Sequence, residues 1–213
     1  MLNVSTQQQT LTSLGRKIFV IKLNGVSYSF LNIKRMDSKM EIALLGEPML
    51  RQIAELVEDV RSTEIQRLVR QMHETLEKSG GVGLAAPQVF ISKRIMIVAS
   101  KPTPRYPYAP LMPATVMINP SFVATNDVKV KDWEGCLSIP GIRALVPRYP
   151  SIKVRYQDLA GSHVEMNLEG FVARVFQHEY DHLNGLVYLD SVATNHDIIS
   201  EAVFLKQIIN TQD

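Results

Sequence analysis

The nine residues Gln177-His178-Glu179-Tyr180-Asp181-His182-Leu183-Asn184-Gly185 constrain this chain more than any other stretch. They contain the pattern H-E-x-x-H. On a helix, positions i and i+4 lie one above the other on the same face. His178 and His182 can therefore bind one metal ion together. Glu179 is one step further round, close enough to reach a water on that ion without being a ligand. Two imidazoles and a proton-moving carboxylate are the parts of a metal hydrolase. The competing reading is a polar helix turn with two surface histidines. Upstream, Phe171, Val172, Val175 and Phe176 follow Gly170 with the spacing of a buried helix. Asn184-Gly185 makes a helix stop, since both residues tolerate a left-handed conformation. A core helix carrying His, Glu, Asp and His within five residues needs partners for them.

The chain has 213 residues, enough for one domain with a proper core. No apolar run approaches the length that spans a bilayer, so no membrane partner is expected. Cys136 is the one cysteine. An intrachain disulfide is thus impossible, which fits a reducing compartment. Residues 1–39 carry six basic groups and one acid, so the overall charge of +2 hides a basic N-terminus and an acidic remainder. Three explanations stand for that extension: a transit peptide, a basic arm, or a start set early, with Met36 and Met40 both available. Ile18, Val20, Val26, Tyr28 and Phe30 alternate around Asn24-Gly25, a hairpin signal. The expected organisation is an extension at 1–39 and a domain at 40–213. The expected compartment is the cytoplasm, with an organellar matrix as the alternative.

Pro48 suits the first turn of a short helix through Leu50–Ile53. A clear helix follows over 63–79, with Ile65, Leu68, Val69, Met72 and Leu76 on one face, Ser62 as its cap and Gly80-Gly81 at its end. His73 on that helix reads as structural. Gly81-Val82-Gly83-Leu84-Ala85-Ala86-Pro87-Gln88 has little side-chain bulk, so a substrate backbone can lie against it; a packing loop is the bland reading. Gln88 is a neutral donor of the kind that stabilises an oxyanion. Arg94–Ala99 and Thr115–Ile118 read as strands, the second ended by Asn119-Pro120, with a Pro- and Tyr-rich loop at 101–113 between them. Ile152, Val154 and Tyr156, a turn at Asp158–Gly161, then Val164, Met166 and Leu168 predict a hairpin. Ile198 to Ile209 carries the pattern of a C-terminal amphipathic helix. Cys136, in Trp133-Glu134-Gly135-Cys136-Leu137-Ser138, reads either as a third metal ligand or as a nucleophile with a histidine base.

Three motifs stand in order: Gly81–Gln88 as G-x-G-x-A-A-x-Q, Glu134–Ser138 as E-G-C-x-S, and Gln177–His182 as Q-H-E-x-D-H. Together they resemble the peptide deformylase family, over roughly residues 42–195. Leu137 resembles the type found in Gram-negative bacteria and organelles. The resemblance implies an α+β fold of antiparallel sheets packed around a central metal-binding helix, with a C-terminal helix. It implies removal of the formyl group from the N-terminal formyl-methionine of nascent polypeptides, by a hydrolase of linear amides, with formate released. It implies Cys136, His178 and His182 on one divalent metal, iron(II), with zinc, nickel or cobalt able to substitute. It implies Glu179 as general base and then acid, and Gln88 with the backbone N–H of Leu137 at the oxyanion. Val82, Gly83 and Arg143 would meet substrate. Phe171 and Val175, with Val82, are read as lining a pocket for the methionine side chain. The partners implied are N-formylmethionyl nascent peptides and, transiently, the ribosome; DNA is not among them. The extension at 1–39 falls outside the resemblance.

Three other readings compete. An H-E-x-x-H endopeptidase needs a third ligand downstream, where only His196 stands. A metal-bound module without catalysis has no need of Glu179 or Gln88. A Cys-His thiol hydrolase would survive chelation.

Overall fold

The computed structural model describes the strand backbones at 5–10, 17–23 and 26–31, and residues 40–103 and 106–209. Two compact units divide at Ser38/Lys39. In the first, β1 (Ser5–Thr10), β2 (Lys17–Leu23) and β3 (Val26–Leu31) pair antiparallel in that order, with Leu23 opposite Val26. The Asn24-Gly25 turn and the remainder of 1–39 lie outside the described residues.

In the second unit, β4 (Gly83–Ala85), β5 (Ile95–Ser100), β6 (Met112–Ala124), β9 (Ser151–Gln157) and β10 (His163–Glu169) form an antiparallel sheet in the order β10-β9-β6-β5-β4. A second antiparallel sheet joins β7 (Val130–Cys136), β8 (Ile139–Arg148) and β11 (Ile198–Ser200), with β8 in the middle. α1 spans Thr63–Ser79 and α2 spans Gly170–Leu183. This is the expected α+β class.

The strand period of two sorts β5 onto two cores. Met96 and Val98 point toward α2, where they meet Phe176, Val172 and Leu183. Ile95 and Ile97 point the other way, toward Leu68, Val69, Met72 and Leu76 of α1. β5 is buried on both faces, which is why it reads as an unbroken apolar run. A third cluster, with Tyr188, Val187, Val146 and Leu50, packs against β8. Ser62 Oγ accepts the Ile65 N–H at 3.3 Å, and Gly80 ends α1 at φ +65°. α2 ends as expected at Asn184-Gly185. Gly185 sits at φ +72°, and a Cβ there would meet the Arg51 carbonyl at 2.8 Å. Any other residue would bring left-handed strain and a backbone clash together.

Three elements differ from the sequence reading. Helix at Leu50–Ile53 is a 3-10 turn at Pro48–Arg51. The strand expected to stop at Asn119-Pro120 runs on to Ala124. Asn119 absorbs the proline by taking φ +51°, and the register shifts between Ile118 and Ser121, as at a bulge. Its side chain secures the kink, bonding Val57 N–H and C=O and the Gln157 side chain, each at 2.9 Å. The C-terminal helix begins late. Ile198–Ser200 is a strand on the edge of β8, Ser200 caps α3 (Glu201–Phe204), and Leu205–Ile209 continues as π-helix.

Candidate metal centre and active site

α2 carries His178, Glu179 and His182 between the two sheets, and β7 delivers Cys136 at its last residue. Among the described residues, Cys136, His178 and His182 form the one cluster of possible metal ligands, their donor atoms all within 4.8 Å of one another. Cys136 Sγ and His182 Nε2 are 3.3 Å apart. Donors bound at about 2.0–2.3 Å around a tetrahedral ion stand roughly 3.3–3.8 Å from each other. The Cys136–His182 spacing falls in that range, so the donor set could hold one ion. The bland reading of two surface histidines fails, because both are buried.

Glu134, 4% exposed, fixes the first imidazole. Its Oε2 lies 2.9 Å from His178 Nδ1, so Nδ1 carries a proton and donates it to the carboxylate, which fixes the ring's orientation. Arg148 donates to both oxygens of Glu134, at 2.9 and 3.1 Å, and to Asp181 at 2.6 Å. Arg174 adds a bond to Oε1 at 2.9 Å. Burial alone pushes the Glu134 carboxyl up. The His178 bond and the Arg148 charge outweigh it and hold the group at about 2. Sequence reasoning missed Glu134, Arg148, Arg174 and Asp181 as parts of the site. The available signal was Glu134 two residues before Cys136 on the same strand face.

Burial opposes ionisation of Cys136, but the neighbouring imidazoles draw its thiol well below the usual range. The thiolate, the form that binds metal, is further held by the Gln88 side-chain N–H at 3.3 Å and the Ser138 N–H at 3.4 Å. Gln88 is itself locked. Its Oε1 accepts from Ala85 N–H at 2.9 Å and its Nε2 also reaches Ser138 Oγ at 3.2 Å. Burial raises the Glu179 carboxyl to about 7, against the opposing pull of His178 and His182. Glu179 Oε2 and His182 Nδ1 are buried without a hydrogen-bond partner among the described residues. A buried carboxylate oxygen without a partner, near three possible ligand atoms, calls for an explanation. Gly83 is bare for a reason beyond substrate access: a Cβ there would fall on the Glu179 carboxylate.

The cavity over this centre is lined by Val82, Gly83, Gln88, Cys136, Leu137, Arg143, Phe171, Val175, His178 and Glu179, so every residue expected at the site except His182 reaches it. His182 lies behind, fully buried. Arg143 lines the cavity but its guanidinium is engaged, donating to Tyr106 Oη at 2.6 Å and Glu201 at 2.7 Å. Tyr106 packs on Phe171 with ring centroids 4.9 Å apart. Tyr106 and Glu201 of α3, joined through Arg143, thus close one wall, which the sequence did not reveal.

The comparisons with known proteins agree with this geometry. A profile of the polypeptide deformylase family matches residues 39–197. The chain belongs to the polypeptide deformylase family. Peptide deformylase 2 of a Nostoc species is 49% identical over 162 residues, covering 76% of this chain and 90% of that one. The Met-Ala-Ser-bound class I type b peptide deformylase of Acinetobacter baumannii superposes with a TM-score of 0.71 at 44% identity, over 74% of this chain and all of the other. The deformylase of Thermotoga maritima gives 0.65 at 36% identity, over 74% and 99%. The chain is accordingly a hydrolase with the deformylase activity, removing the N-formyl group from nascent polypeptides, and is metal-dependent as that family is.

The depressed Glu134 carboxyl makes a prediction about acid. A carboxyl held at about 2 when folded and near 4.5 when unfolded adds stability that is fully present above pH 4.5 and lost as pH falls through 2. That contribution is of order 3 kcal/mol, at 1.4 kcal/mol per pH unit. Urea unfolding of metal-free protein between pH 5 and 2 is expected to show a steep acid limb, and Glu134→Gln to flatten it. Equal slopes in both proteins would contradict the assignment.

Proposed function

We propose that Cys136, His178 and His182 hold the divalent ion and that Glu179 moves the protons of the deformylase reaction. One observation carries this reading most: Glu179 lies beside the three convergent donors with a buried, unpartnered oxygen. When bound, the ion supplies Lewis acidity and brings the pKa of water to about 7.

Glu179 takes the proton of the water that adds to the formyl carbon. It then delivers that proton to the amine nitrogen as the C–N bond breaks, leaving formate. A carboxyl lifted to about 7 is matched to giving and taking protons at neutral pH. Negative charge develops on the former formyl oxygen, where the Gln88 side-chain N–H and the Leu137 backbone N–H are the assigned donors. Losing one such donor typically costs roughly 10²–10³ in rate. Gln88 is held at its far end by Ala85, so its orientation is set before substrate arrives.

Val82 and the β4 edge that begins at Gly83 offer backbone to an extended peptide. Phe171 and Val175 give the cavity an apolar wall for the methionine side chain. Arg143 acts in substrate binding through that same cavity. Iron(II) is the assigned physiological ion, with zinc, nickel or cobalt as substitutes, since a thiolate and two imidazoles suit all of them.

The catalytic domain is assigned to residues 40–213, and the compartment to the cytoplasm. Among the described residues, no helix is long and apolar enough to cross a membrane. Residues 1–39 bring net positive charge and are assigned a transient contact with the ribosome.

Formate release from a formyl-Met peptide by protein purified without oxygen tests the catalytic assignment. Release is expected to stop with chelator, and to fall by at least about 10²-fold in Glu179→Ala with metal still bound. Release that persists in chelator would move the chemistry to Cys136 as nucleophile. Co-sedimentation with ribosomes is expected to weaken when residues 1–39 are deleted; unchanged sedimentation would remove that role.

A further inference from the structure

Arg174 stands on α2 one turn before His178, in a helix whose neighbouring residues Ala173, Val175 and Phe176 are all core. It is itself 7% exposed. Burying a guanidinium costs several kcal/mol unless its donors are met. Here they are met by a particular set of atoms. Nη1 donates to Glu134 Oε1 at 2.9 Å, to the Val146 carbonyl at 2.7 Å and to the Asp132 carbonyl at 3.3 Å. Nη2 donates to the Val130 carbonyl at 2.7 Å. One side chain of the histidine helix therefore binds three backbone carbonyls of β7 and β8. It also binds the carboxylate that orients His178.

Those strands are the ones that set Cys136. β7 runs from Val130 to Cys136, and Arg174 touches its residues 130, 132 and 134 in succession along one side. Arg148 does a different job. It neutralises Glu134 from β8 with two bonds and reaches Asp181 on α2, but it touches no backbone of β7 among the bonds described. Glu134 then has each oxygen doubly engaged: Oε1 by Arg148 and Arg174, Oε2 by Arg148 and His178. Removing Arg174 frees a lone pair on Oε1, strips a partner from the buried Val146 carbonyl, and releases the half-buried bonds to the Asp132 and Val130 carbonyls that tie β7 to α2.

We infer that Arg174 is a positioning residue for the metal ligands, clamping the strand that ends in Cys136 to the helix that carries His178 and His182. The inference rests on the assignment of those three residues as ligands. It differs from a packing role in what it affects. A packing role changes stability alone. A clamp across the ligand set changes metal affinity and the environment of the thiolate in protein that remains folded.

Cobalt(II) is the probe, because a cysteine thiolate on cobalt gives a charge-transfer absorption and its affinity can be read by chelator competition. Full-length Arg174→Met and Arg174→Lys are compared with the parent chain, each checked for folding by circular dichroism. Loss of an outer partner of a metal ligand typically costs 10–100-fold in affinity. Arg174→Met is expected to bind cobalt weaker by that factor, with a shifted or weakened thiolate band. Arg174→Lys, which keeps the charge but cannot span Glu134 and three carbonyls together, is expected to recover only part of the loss. Should Arg174→Met fail to fold, the lysine variant decides alone. Cobalt affinity within about twofold of the parent, with an unchanged band, in either folded variant would overturn the inference. So would failure of both variants to fold, which would make the residue structural. The parent's own band, and its disappearance in Cys136→Ser, separates this from failure of the ligand assignment: a parent without a thiolate band sinks that assignment first.

Discussion

The Glu134 carboxylate, buried between two guanidiniums and an imidazole, is the interaction on which the rest of the site depends. A lone carboxylate at 4% exposure would protonate. Arg148 and Arg174 keep it charged, and Asp181 also pairs with Arg148, so these four groups carry two negative and two positive charges. Burial opposes protonation of His178, but the Cys136 thiolate and the Glu134 carboxylate raise its imidazole well above the ordinary range, and Nδ1 donates to Glu134. A ligating histidine with a carboxylate behind it is fixed in both tautomer and ring direction. The asymmetry with His182 is informative. His182 has no such partner among the described residues and is placed instead by full burial on α2. Removing either arginine would leave uncompensated charge in a dry interior, which costs far more than an exposed ion pair.

The Glu179 carboxylate, the proposed proton carrier, is set by the opposite means. Among the described residues Glu179 has no ion pair with a guanidinium, and burial lifts it toward neutrality where Glu134 is pulled far below. Two glutamates on the same centre thus hold different protonation behaviour because one is paired and the other is merely enclosed. The enclosure depends on Gly83, whose missing side chain is the space Glu179 occupies. It depends also on the wall made by Tyr106, Arg143 and Glu201, which joins the proline-rich loop to α3 across the cavity. Gly135 belongs to the same packing, since a Cβ there would meet the Arg143 guanidinium at 2.5 Å.

Much of this was legible in the sequence where the signal was local. The i, i+4 histidines, the cap and stop of α1, the 151–168 hairpin and the three motifs all rest on spacing within a few residues. Arg148 and Arg174 were not legible, because an arginine in isolation reads as surface. Only the pairing of β7 with β8, and of both with α2, turns them inward. Tyr106 was hidden in a loop whose proline content says turn and nothing about its partner. Asn119-Pro120 looked like a stop because proline lacks a donor; a left-handed Asn and three side-chain bonds carry the strand past it. Ile198–Ser200 read as helix because its apolar spacing continues into α3. Its strand form is imposed by the free edge of β8, more than fifty residues earlier.

The chemistry proposed for this centre requires that β7 and α2 bring their side chains to one ion. X-ray absorption at the metal edge of zinc-loaded full-length protein tests that directly. One sulfur and two imidazole nitrogens in the first shell, with the sulfur lost in Cys136→Ser, is the predicted result. A shell of oxygen and nitrogen alone, unchanged in that variant, would contradict it.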